Sequence, residues 1–138
     1  MNEPKKLIDT PSQTAGPFLH IGCAPRITGI NIFKIELGLT PFQDISDNEA
    51  INIKGKIYDG NNELIIDAMI ETWQCDANGN YSSNQGFARI VTDFKTGEYQ
   101  LKTIRPGNKI NTDESLSASY ITFWIVARGM NRPLVTRM

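Results

Sequence analysis

The side chains most often recruited for catalysis are scarce in this sequence, and their spacing limits what they can do. There is one histidine, His20, and there are two cysteines, Cys23 and Cys75. A zinc or non-haem iron site usually draws several histidines, cysteines or clustered carboxylates, and nothing sits at ligand spacing around His20. A Ser-His-Asp triad would have to use the same residue, which follows Pro17-Phe18-Leu19 and has no nucleophile motif nearby. No Gly-rich phosphate loop is present. His20 reads instead as a half-buried packing ring, and the thiols as free and partly buried, too few for a disulfide scaffold. Self-contained catalysis is disfavoured, so any chemistry this chain serves is shared with another molecule.

Composition sets further bounds. The chain has 138 residues, with 14 Lys plus Arg against 15 Asp plus Glu and a formal charge of -1. At 40% hydrophobic and 21% charged residues it can build one modest core. A chain of about 150 residues hides roughly 68% of its extended surface on folding, which suits one domain and not two. Scattered lysines and near-neutral charge form no basic patch, which argues against a nucleic-acid partner. No run approaches about 20 apolar residues, and the opening MNEPKKLIDTPSQTAG lacks the apolar stretch of a secretory signal. The expected location is a reducing cytoplasm, away from membranes.

The elements that must position any working residue read as follows. Residues 1–29 form an irregular N-terminal arm, because Pro4, Pro11, Pro17 and Pro25, with Gly16, Gly22 and Gly29, punctuate it too often for a helix or a central strand. The arm still carries Phe18, Leu19, Ile21 and Ile27, so it is expected to lie on a surface, its own or a partner's. Ile30, Ile32, Ile35 and Leu37 mark a candidate strand over 30–39, followed by a polar, acidic loop. Alternation then predicts strands over 51–58, 68–74, 87–92, 99–104 and 120–126, with turns at Asp59 to Asn62, Asp76 to Asn80 and Lys95 to Gly97. Residues 134–138 begin another strand. No helical period persists beyond a turn or two. The fold class is all-β, a sandwich over 30–138. The abrupt end implies either a fragment or a sheet that a partner completes.

Several blocks share an order and spacing that point to a family. They are Thr10-Pro-Ser-Gln-Thr-Ala-Gly-Pro-Phe18, Leu19-His20-Ile21-Gly22, Gly55 to Gly60, Asp67 to Gln74, Asp76-Ala-Asn-Gly79 with Tyr81, and Thr103-Ile-Arg-Pro-Gly107. Phe123, Ala127-Arg-Gly-Met130 and Thr136-Arg137 continue the series. Together these blocks resemble the protocatechuate-cleaving alpha subunits of the intradiol ring-cleavage dioxygenases. The resemblance covers most of the chain from Thr10 onward and is weakest between Asn31 and Asn52. It implies an intradiol-dioxygenase-like β-sandwich, with this chain lacking the family's later strands. Catalytic subunits of the family hold ferric iron, Fe(3+), with two tyrosines and two histidines. Tyr81 matches the first tyrosine, but Lys109 stands at the second, and Tyr120 and Thr122 stand at the histidines.

What the resemblance implies is therefore an alpha subunit that binds no iron. A catalytic beta subunit would hold Fe(3+), and the two chains would assemble into a higher alpha-beta oligomer acting on protocatechuate and dioxygen. In such a pair Thr14, Gly16, Pro17 and Phe18 would line the beta subunit's pocket, and Arg128 would face the same region. Phe18 replaces a tyrosine usual in the family. Physically the roles suit the residues. A Gly-Pro pair gives a close-packed, preset backbone against an aromatic ring, and a guanidinium can grip a carboxylate bidentately. Plainer readings stand beside this one. Gly16 and Pro17 could merely shape a turn and Arg128 could make a surface ion pair, and Trp73 and Trp124 read as core or interface residues. At the level of the whole chain, a small β-sandwich spacer module or an inactive truncated paralogue remains open.

Overall fold

The computed structural model describes residues 8–34, 38–110 and 115–138. Along the chain run β1 (Ala50–Lys56), β2 (Met69–Trp73), β3 (Phe87–Val91), β4 (Glu98–Ile104), β5 (Lys109–Ile110), β6 (Leu116–Ser117), β7 (Thr122–Val126) and β8 (Leu134–Arg137). A four-stranded sheet has the order β3-β2-β7-β8, a second sheet pairs β1 with β4, and β5 with β6 makes a small ribbon. Every ladder is antiparallel. The fold is predominantly β and sandwich-like, as alternation predicted, and the strands expected over 51–58, 68–74, 87–92, 99–104 and 120–126 each lie within two residues of those bounds. Among the described residues no helix is long and apolar enough to cross a membrane.

Side-chain period explains the layering. In β4, Tyr99, Leu101 and Thr103 are buried while Glu98, Gln100 and Lys102 are exposed. That buried row faces a core of Ala68, Ile70, Ile121, Phe123, Ile125 and Ala127 from the larger sheet, with Ile53 and Ile57 packed on it from β1 and its extension. Gly55 stands opposite Tyr99 in the ladder, and a Cβ there would lie 2.6 Å from the Tyr99 hydroxyl. Its lack of a side chain lets the ring cross the strand.

The two sheets are tied at one end by a buried amide. Gln74, 1% exposed, follows directly on β2. Its Nε2 donates to the Ile104 carbonyl at 2.9 Å, and its Oε1 accepts from Thr103 Oγ1 at 2.8 Å. Beside it, Cys75 Sγ donates to the Gly107 carbonyl at 3.4 Å, and the Gly107 N–H donates to the Asp76 carbonyl at 2.8 Å.

Three expectations need correction. The candidate strand over 30–39 is absent among its described residues, while 35–37 lie outside them. Instead the chain satisfies the edge of β3 with isolated bonds. The Gly38 carbonyl accepts from Arg89 N–H at 3.0 Å, and the Pro41 carbonyl accepts from Gly86 N–H at 2.6 Å. Second, the arm is not helix-free, since α1 (Leu19–Cys23) makes one turn and a 3-10 turn spans Pro25–Thr28. The prolines fall outside α1 or at the first position of the 3-10 turn, where a missing N–H costs nothing. Third, the short β5–β6 ribbon after Gly107 was not among the strands that alternation predicted.

Because the Gln74 amide is sealed from water, replacing Thr103 with Val should be costly despite its similar shape. It removes the donor to a buried acceptor, a loss of about 1–3 kcal/mol. Urea unfolding of Thr103→Val against the parent chain measures it, and unchanged stability would show that the clasp is dispensable.

Candidate functional site

The site begins where β7 ends. Beyond Val126, the Met130 N–H donates to the Ala127 carbonyl at 3.2 Å, closing a tight turn in which Gly129 has φ 82°. That turn needs a glycine at its third position. The second position is Arg128, thrust away from the buried Ala127. Its backbone forms an isolated parallel bridge with Ala15 of the arm, and its Nε makes an ion pair with Asp67 Oδ2. The Arg128 side chain is 58% exposed and that of Asp67 only 16%.

The arm is anchored on both sides of its exposed tip. Upstream is the Ala15–Arg128 bridge. Downstream, α1 turns back on the domain because Gly16 and Phe18 offer carbonyls to the N–H groups of Leu19 and Ile21, at 3.2 and 3.1 Å. This buries His20, with its ring edge-on to Phe94 at 5.3 Å between centroids. His20 is thus buried, where half-burial was expected, and its Nε2 has no hydrogen-bond partner among the described residues. At the end of α1, Arg89 Nη1 donates to the Cys23 carbonyl at 3.0 Å. The same guanidinium holds Glu71 Oε1 through Nε at 2.8 Å and Nη2 at 2.5 Å.

Of the residues singled out in the sequence, Thr14, Gly16, Pro17 and Phe18 are all exposed, and Phe18 is 74% so. Pro17 and Arg128 share the wall of one cavity of about 240 Å³, together with His20, Asp67 and Phe94. Thr14 and Phe18 flank that group and do not line the cavity. A Cβ added at Gly16 would meet nothing within 4 Å. Asp67, Glu71, Arg89 and Phe94 were not anticipated as supports of this site. Arg89 and Glu71 oppose each other in the β2–β3 register, a signal available only once the strand pairing is known.

Two of the positions matched to iron ligands, Tyr81 and Tyr120, meet at one surface. The Tyr81 hydroxyl donates to the Tyr120 hydroxyl at 3.3 Å, Trp73 stacks on Tyr81 at 6.0 Å, and the Arg137 guanidinium lies 4.5 Å from the Tyr120 ring centre. Trp73 is thus a stacking partner at the surface, not a core residue. Burial first, then the Tyr120 hydroxyl, push the Tyr81 phenol above its ordinary value. A neutral, mutually hydrogen-bonded pair of phenols is a poor donor set for ferric iron. Among the described residues, no three His, Cys, Asp or Glu side chains group as metal ligands. These residues do not fit the ion.

The raised phenol has a stability consequence. The folded state holds the Tyr81 proton more tightly than the unfolded chain, so this contribution is complete below about pH 10 and is lost as pH climbs through the higher folded value. Tyr81→Phe should therefore lose less stability than the parent between about pH 9 and pH 11. Parallel denaturation curves measure this, and identical alkaline losses would exclude the coupling.

Residues 36–134 match a family model described as Dioxygenase. The chain is 37% identical over 139 residues to the protocatechuate 3,4-dioxygenase alpha chain of Pseudomonas putida, a match covering 96% of this chain and 69% of that one. To the corresponding alpha chain of Burkholderia cepacia it is 30% identical over 142 residues, covering 96% and 70%. In fold it is similar to catechol 1,2-dioxygenase from Pseudomonas arvilla C-1, with a TM-score of 0.63 at 19% identity over 73% of this chain. This chain spans only 38% of that structure. The order of strands, the arm and the matched sequence blocks agree with one conclusion: the chain belongs to the intradiol dioxygenase family, as a homologue of the protocatechuate 3,4-dioxygenase alpha chains.

Proposed function

We propose that this chain is the non-iron-binding alpha subunit of a protocatechuate 3,4-dioxygenase, and that it supplies one wall of the pocket in which a catalytic beta subunit cleaves protocatechuate to 3-carboxy-cis,cis-muconate. Residues 1–29 would serve as the arm that faces the partner and 30–138 as the sandwich that carries it, in a cytoplasmic alpha-beta oligomer. The observation that carries this reading is the Ala15–Arg128 bridge, which sets the exposed Gly16–Phe18 tip beside an exposed guanidinium. Gly16 has open space where a side chain would stand, so packing within this chain does not demand a glycine. A closely approaching partner or substrate would.

The division of labour follows from the residues. Fe(3+) on the beta subunit would supply the dioxygen chemistry of ring opening. This chain's groups would bind, orient and exclude water. Pro17 and Phe18 offer a rigid apolar wall, and Arg128 offers charge-assisted hydrogen bonds to the substrate carboxylate. Phe18, Ile21, Ile27, Ile32 and Phe33 expose apolar surface along one segment, which supports an interface there. The ion pair with Asp67 favours the plainer reading of Arg128 as structural. The contact is made through Nε, and a carboxylate held there leaves room for a substrate carboxylate at the edge made by the two terminal nitrogens.

Two outcomes are expected. In an assembled complex, Arg128→Ala should lower kcat/KM for protocatechuate about 10- to 100-fold, as loss of one shielded charge-assisted bond does. Plain catechol has no carboxylate and should lose far less; equal losses for the two substrates would remove Arg128 from the site. The purified chain alone should carry no stoichiometric iron and no tyrosinate-to-iron colour. One iron per chain by elemental analysis, retained against chelator, would contradict the assignment.

A further inference from the structure

We infer that Asp67 is a positioning residue for Arg128: its carboxylate holds the guanidinium at Nε and so fixes the edge formed by the two terminal nitrogens. The inference rests on the proposed substrate contact of Arg128. Asp67 stands immediately before Ala68, which is fully buried. The Ala68 N–H donates to Thr92 Oγ1 at 3.0 Å, and its carbonyl accepts from Thr92 N–H at 3.0 Å. The backbone next to the carboxylate is therefore pinned to Thr92, directly after β3, and the acid itself is mostly buried while its partner is mostly exposed. A long exposed arginine side chain samples many rotamers, and an anchor rooted in the core restricts them. Among the described residues Asp67 is the ion-pair partner of Arg128, and both line the cavity that Pro17 also borders.

Asp67 also has an effect of opposite sign. Its charge offsets that of Arg128 and weakens the attraction of the site for an anion at a distance. That attraction is screened beyond about 8 Å at physiological salt, whereas orientation acts at contact. Positioning should therefore dominate, and removing the acid should weaken substrate binding, not strengthen it.

The test is a double-mutant cycle on the assembled alpha-beta complex, read with protocatechuate and catechol. Asp67→Ala should raise KM for protocatechuate roughly 3- to 10-fold, with kcat and the catechol constants little changed. Asp67→Asn keeps an acceptor for Nε and removes only the charge, so its effect should stay within about 2-fold. Added to Arg128→Ala, Asp67→Ala should change nothing further. If Asp67→Ala fails to assemble, Asp67→Ser replaces it, since the hydroxyl is too short to reach Nε. A fall in KM, equal losses on both substrates, or additive effects in the double variant would overturn the inference. If Arg128→Ala is selective for protocatechuate while Asp67→Ala is silent, the positioning role alone fails. If Arg128→Ala shows no selectivity, the proposed contact of Arg128 fails and the role of Asp67 with it.

Discussion

A single buried amide, that of Gln74, holds the two sheets in one relation. Its donor and acceptor are both spent on β4, at the Ile104 carbonyl and the Thr103 hydroxyl, so neither sheet can slide without leaving polar atoms stranded in the core. Apolar packing alone would tolerate several registers, whereas a satisfied polar bridge selects one. Gln74 extends β2, which is flanked by β3 and β7. The strand is therefore fixed at one end by the amide and at the other by the reciprocal Ala68–Thr92 bonds. Asp67 emerges from that second end, and through it the rigidity of the core reaches Arg128.

The other surface of interest is held by contacts between neutral aromatic groups and one cation. Tyr81 and Tyr120 face each other, joined by a hydrogen bond that the Tyr81 hydroxyl donates, backed by the Trp73 stack and the Arg137 cation over the Tyr120 ring. Such contacts hold two loops together without demanding a charged centre. A carboxylate or imidazole left in their place would have needed a partner or exposure to water. The turn leading to Tyr81 is self-sufficient as well. Asp76 accepts the backbone N–H groups of Asn80 and Asn78, and those bonds, Asn80 foremost, hold its carboxyl below the ordinary range. The local structure there is thus maintained by aromatic contacts and turn bonds of this chain's own residues.

How far the sequence could be read depended on whether a residue's role is local. Strands β1, β2, β3, β4 and β7 follow from period-2 alternation, and turns such as Asp59 to Asn62 follow from side chains that bond their own backbone. The segment over 30–39 has strand-like composition, yet its described residues meet β3 through one carbonyl, that of Gly38, and pairing is not a property of one strand alone. The α1 turn was hidden by prolines that in fact bracket it. At the site, Thr14, Gly16, Pro17, Phe18 and Arg128 came from resemblance. The bridge joining them, and the support from Asp67, Arg89 and Phe94, could come only from tertiary structure. Asp67 carries no local signal, being one acid among several before a strand.

The arm's energetics bear on its proposed use. Its tip, Gly16 to Phe18, is exposed, but the backbone on either side is held by the Ala15–Arg128 bridge, the buried His20 ring and the Arg89 bond to Cys23. An unanchored arm of this kind would lose backbone freedom at about 1–2 kcal/mol per residue on docking, enough to cancel much of the gain from one aromatic side chain. Burying a phenylalanine fully contributes about 1.5–3 kcal/mol. Anchors inside the chain shift most of the ordering cost from association to folding, so an exposed Phe18 can add to an interface nearly in full. The Ala15–Arg128 bridge also ties the tip to the turn that carries Arg128. An arm built this way presents a surface whose shape is set before any partner arrives.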